Sequence, residues 1–152
     1  MWLAALVVLG GISIYLNKDW FAKDGIQIYH RNRPPRPAVF SRKSKGSPAF
    51  DSPAVNPVIF GFSRRLRLTS LKVIPVTEIE TNKFPHPIWF LTSASNSVPI
   101  KDFAYGDSIK GMKPAVQGAT PDPLEPGVNY RLFVETGELK AEHDFMPVPR
   151  TQ

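Results

Sequence analysis

Beyond Asp51, apolar and polar residues alternate with period two, the pattern of half-buried strands. In "VIFGF" Val58, Phe60 and Phe62 share one face, and Gly61 permits a close approach. "LRLTSLKVIPV" turns Leu66 and Leu68 inward and then Leu71 and Val73, and this change of phase at Thr69–Ser70 predicts a β-bulge. "PIWFLTS" is a short apolar run bounded by Pro and Ser, and "IKDFAYG" puts Phe103 and Tyr105 on one face. The stretch 106–125 is broken by Gly and Pro and reads as a long surface loop. Val128, Tyr130, Leu132 and Val134 then oppose Asn129, Arg131, Phe133 and Glu135. After a turn around Gly137, Leu139, Ala141, His143 and Phe145 oppose Lys140, Glu142 and Asp144, which predicts a closing hairpin. Ahead of these runs, "GIQIYHR" alternates Ile26, Ile28 and His30 against Gln27, Tyr29 and Arg31, a short strand suited to a sheet edge. The expected fold is mainly β: an antiparallel β-sandwich over residues 52–148 with a tail at 149–152.

The N-terminus follows a different pattern. "WLAALVVLGGISIYL" (residues 2–16) carries no charge. As a helix it rises only about 22 Å, short of a hydrocarbon core of ~30 Å. Its flanks extend it, because Trp2 and Trp20 stand 18 residues apart, about 27 Å along a helix axis, near the two interfaces that Trp favours. No basic n-region precedes the run and no A-x-A site follows it, so residues 1–21 are expected to form an uncleaved transmembrane anchor helix.

Composition and charge narrow the picture. The 16 prolines exclude long helices from the middle of the chain. With no Cys there is no disulfide framework, thiol nucleophile or Cys zinc site. Residues 1–76 carry 12 Lys/Arg against 3 Asp/Glu, whereas residues 77–152 carry 7 against 10. The basic half is the one with the apolar terminus, which suggests a membrane surface before nucleic acid. Within the expected strand and Pro-rich linker at 22–51, Arg31, Arg33, Arg36, Arg42, Lys43 and Lys45 form a basic strap. It reads equally as a semi-rigid solvated spacer and as a polyanion- or lipid-binding element. The charges after the apolar run favour a cytoplasmic domain under the positive-inside rule.

The segment Leu124-Glu125-Pro126-Gly127-Val128-Asn129-Tyr130 resembles the Leu-x-Pro-Gly-x-x-Tyr pattern that enters the penultimate strand of fibronectin type III modules. The resemblance implies a structural tyrosine corner made by Leu124, Pro126, Gly127 and Tyr130, with the Tyr130 hydroxyl bonding back to upstream backbone. Over the rest of the domain the resemblance is loose, so an immunoglobulin-like sandwich is an equal reading. It also implies an extracytoplasmic domain, against the charge rule, and the orientation stays open between the two arguments.

Candidate chemistry is sparse. In "EHD", strand geometry puts Glu142 and Asp144 on one face and His143 on the other, so the three do not converge on a metal ion. His86 in "FPHPIW" reads as a rigid corner before Trp89, with ligand binding as the alternative. Arg64, Arg65, Arg67 and Lys72 form a second basic cluster, but alternation sends Phe60 and Phe62 to the core, leaving charge without stacking. No P-loop, EF-hand, HExxH or G-x-G-x-x-G is present. No catalytic residue, metal or cofactor is assigned. The chain is expected to be a single-pass membrane protein whose β-domain binds or scaffolds another protein, with the extracytoplasmic side favoured and nucleic acid unlikely as a partner. An accessory role in an envelope complex fits that reading; a polyanion-binding module and a carbohydrate-active or hydrolytic domain are the alternatives.

Overall fold

Among the described residues the alternating runs form eight strands: β1 (Ile28–Asn32), β2 (Val58–Leu66), β3 (Ser70–Pro75), β4 (Trp89–Thr92), β5 (Ile100–Ala104), β6 (Lys113–Pro114), β7 (Tyr130–Thr136) and β8 (Leu139–Phe145). The structure, a computed structural model, describes residues 25–33, 54–137 and 139–150. The anchor expected at 1–21, with Trp2 and Trp20, and the basic residues Arg36, Arg42, Lys43 and Lys45 lie outside them. Among the described residues no helix is long and apolar enough to cross a membrane.

The strands form two antiparallel sheets, ordered β1-β2-β5 and β6-β4-β3-β7-β8. Their inner faces are the apolar faces of the alternation. Phe60 and Phe62 of β2 and Phe103 of β5 meet Leu71, Val73, Trp89, Leu91, Leu132, Val134 and Phe145 of the larger sheet in one cluster. Aromatic rings bridge the layers: Phe60 lies edge-on to Phe145 at 4.8 Å, and Trp89 packs on Phe103 at 6.1 Å. On the outer face Tyr29 sits opposite Gly61, and its ring occupies the space that a side chain at Gly61 would need.

The phase change at Thr69–Ser70 marks a change of sheet, where a bulge within one strand was expected. Leu66 ends β2 in the smaller sheet and Ser70 opens β3 in the larger. The irregularity within β2 falls earlier, between Gly61 and Leu66. Crossing residues have no ladder to satisfy their backbone, so other partners must. Leu68, fully buried, donates its N–H to the Ser97 hydroxyl at 2.8 Å and accepts the Ser97 N–H at 2.8 Å. Thr69 donates both N–H and hydroxyl to the Glu135 carbonyl.

Two further features depart from the alternation. A one-and-a-half-turn helix, α1 (Val76–Thr81), follows β3, with Pro75 at its N-cap. The stretch 106–125 runs beneath the surface in part, because Ile109, Met112 and Leu124 are buried in the core cluster. At the other end of the body, Val55 bridges Pro149, and the Arg150 N–H donates to the Ala54 carbonyl at 3.0 Å.

Candidate ligand-binding cleft

β4 has two neighbours along its length, and the second is discontinuous. On one side it pairs with β3. On the other, β6 covers Leu91 and Thr92, and the Ala115 N–H reaches the Phe90 carbonyl at 3.0 Å. The chain then leaves this edge and returns at Asp122, whose N–H donates to the Ile88 carbonyl at 2.9 Å. Between the two attachments, residues 115–121 arch outward, turning tightly where the Ala119 N–H meets the Val116 carbonyl and Gly118 takes φ +80°. Beneath the arch lies a cleft of about 340 Å³.

The frame around the cleft is fixed on three sides. Glu78 of α1 accepts the backbone N–H of His86 at 2.9 Å, which pins the segment before β4. The Tyr105 hydroxyl donates to the Asp122 carbonyl at 2.7 Å and holds the returning chain. Its ring stands edge-on to Trp89 at 5.1 Å, and burial pushes the phenol well above its usual range, so it stays a donor. The Asp107 carboxylate accepts the Ala104 N–H at 2.8 Å and closes the turn out of β5. Gly111, exposed between the lining residues Ile109 and Met112, takes φ +90°, and a Cβ there would come within 3.2 Å of the Ser97 Cα.

The lining is apolar at depth, with buried Trp89, Ile109 and Met112, and polar at the rim, with His86, Ser108, Thr120 and Asp122. Val116, 69% exposed, stands at the mouth. Two carboxylates and no Lys or Arg face the space, so it favours neutral or cationic groups over anions. A Ser, a His and two Asp line it, and each hydrogen bond described at the His and the two Asp has a backbone group at one end, so none of these bonds links a nucleophile to a base. Such a cleft, mostly apolar with a few placed polar groups, is suited to binding.

The other sequence candidates lie elsewhere. His86 and Trp89 line the cleft, whereas His143 lies on β8 and meets His30 of β1 instead. Glu142 and Asp144 share the outer face of β8, and Arg131 binds Asp144 through two hydrogen bonds of 2.6 and 2.9 Å with Glu142 at 3.8 Å. The Arg131 bond holds the Asp144 carboxyl below its usual range. Among the described residues no group of three or more His, Cys, Asp or Glu could hold a metal ion. Arg31 and Arg33 are exposed, and the Arg33 N–H donates to the Pro57 carbonyl beside one end of β2. Arg64 and Arg65 are exposed toward the other end, roughly 17 Å along the strand from Ile59, the partner of Arg31.

Of the residues expected to form a tyrosine corner, Leu124, Gly127 and Tyr130 lie at the entry to β7, and Pro126 is exposed. Leu124 and Tyr130 are buried, Gly127 adopts φ +78°, and the Glu125 N–H donates to the Tyr130 hydroxyl at 3.0 Å. The Tyr130 ring stacks on Phe145 at 5.7 Å, and burial raises its phenol above the usual range. Sequence reasoning missed the cleft's outer wall, because β6 and the return at Asp122 carry no periodic signal. Pro114 and Pro121, which flank the arch, are the one hint in the sequence that the chain leaves the β4 edge there. Compared with family models, with curated proteins and with solved structures, the chain matches none.

Proposed function

We propose that this chain is a membrane-anchored, non-catalytic β-sandwich module of fibronectin type III or immunoglobulin-like type that binds a partner through the cleft under residues 115–121. The cleft carries the binding part: an apolar floor and a polar rim on a frame fixed by Glu78, Asp107 and Tyr105. Two observations support the sandwich type. β3, β7 and β8 are adjacent in the order of strands C, F and G of immunoglobulin-like sandwiches, with β1, β2 and β5 as the opposing layer. The Tyr130–Glu125 bond is a corner of the kind those modules use. The anchor part rests on the uncharged run at residues 2–16 with its flanking Trp2 and Trp20. The extracytoplasmic side is favoured by the resemblance alone.

A photoreactive residue at Val116, in the full chain in its native membranes, tests the binding part; the same group at Arg64, in the smaller sheet, is the control. An adduct at Val116 that Ser108→Trp abolishes supports cleft binding. Equal adducts at both positions, or an adduct indifferent to Ser108→Trp, overturns it. Alkaline carbonate extraction of the same membranes tests the anchor, and release of the chain into the supernatant overturns that part.

A further inference from the structure

The two layers meet along one seam through an unusual contact. His30 lies on β1, an edge strand of the smaller sheet, and His143 lies on β8, an edge strand of the larger. Nδ1 of His30 and Nε2 of His143 are 2.7 Å apart, with ring centroids at 5.0 Å. At that separation one proton lies between the nitrogens, so one ring donates and the other accepts. The first added proton enters at an outer nitrogen and leaves the bond intact. The second puts hydrogens on both facing nitrogens and two positive charges at the seam, and the bond must then break.

We propose that His30 and His143 form an acid-released clasp, which fastens β1 to β8 at neutral pH and frees β1 when both rings are protonated.

The surroundings favour release. In register, His30 faces Phe60 of β2 and His143 faces Leu132 of β7, and the Phe145 ring lies 6.0 Å from His30. The charges of β2, Arg64 and Arg65, fall beyond the Val58–Phe62 register that pairs with β1. Arg31 is exposed on β1, on the alternate face from His30. At β7 and β8, Arg131, Glu142 and Asp144 border His143, but the two carboxylates are directed at Arg131. The nearest compensating charges are therefore already paired. Burial lowers both imidazoles below their ordinary value of about 6.5, and the charge of His30 adds to this at His143, while Asp144 opposes it. A depressed imidazole binds fewer protons folded than unfolded. The clasp is therefore intact above about pH 6.5 and weakens as pH falls below it. β1 packs on only one neighbour within its own sheet, so the clasp is its second hold.

Amide hydrogen exchange on the full chain in lipid nanodiscs, expressed as protection factors at pH 7.5 and pH 5.0, reads this directly. β1 is expected to lose protection by about tenfold or more relative to β3 and β7, the equivalent of one pKa unit. A loss no greater than theirs overturns the clasp. His143→Gln, which cannot take a charge, is expected to remove the differential; a differential that survives in this variant overturns the proposal. If that variant does not fold, imidazole NMR of the unsubstituted chain decides. Two separate steps, the second well below pH 6.5, support a shared proton, and two independent titrations near pH 6.5 overturn it. A differential that vanishes with EDTA means a bridging cation holds the pair, which also overturns it.

Discussion

The β7–β8 hairpin and the arch over β4 lie in the same sheet, yet they are built from different kinds of information. In the hairpin, Thr136 pairs with Leu139 next to the turn at Gly137, and every later pair follows by counting outward. Arg131 therefore faces Asp144 and Glu135 faces Lys140, and both pairs close as ion pairs, the latter at 3.1 Å. The arch has no such rule. Its two attachments reach Phe90 and Ile88 across more than 20 residues, through single backbone bonds. A region specified by period tolerates change on its outer face, whereas one specified by a few isolated contacts depends on each of them.

Four substitutions press on that difference. The largest effect is expected from Leu132→Ala, at a fully buried position where both sheets meet. It should cost about 2–5 kcal/mol in denaturant unfolding without altering the cleft. Gly111→Ala forces a side chain into left-handed backbone against Ser97 and should cost about 1–3 kcal/mol. Here the damage should be local, with exchange at the Val98 N–H, bonded to the Lys110 carbonyl, rising more than in β7. Tyr130→Phe removes the acceptor of the Glu125 N–H and should cost about 1 kcal/mol. An unchanged stability would show that water replaces the corner bond. Asp144→Asn should be smallest, about 0.5 kcal/mol, because the pair with Arg131 is solvent-screened. The Asp144 carboxyl is depressed, so its contribution is present above the usual carboxylate range and lost as pH falls through its folded value. The gap between variant and unsubstituted chain should therefore close in acid.

The same division explains what could be read from the sequence. Inward positions such as Phe60, Phe62, Leu71, Val73, Leu132 and Val134 were legible because burial on one face of a strand forces period two. The reach of that signal ends at the strand. It could show that Leu68 and Leu71 are both inward, but not that they belong to strands of different sheets. α1 was missed because six residues after Pro75 are too few to display a helical period. His30 was put by alternation with Ile26 and Ile28 on one face of a short edge strand, which is correct for β1 taken alone. Its partner lies 113 residues away, and only the closing of the two sheets makes them neighbours. The Ser97 clamp on Leu68 and the Tyr105 bond to Asp122 were hidden for the same reason.

The pinning of both flanks of residues 34–53 has a mechanical consequence. Arg33 is bonded to Pro57, and Ala54 to Arg150, so the two flanking residues are held at neighbouring points just ahead of β2. A pull applied through the N-terminus would pass along β1 into its antiparallel ladder with β2, loading those hydrogen bonds side by side in shear.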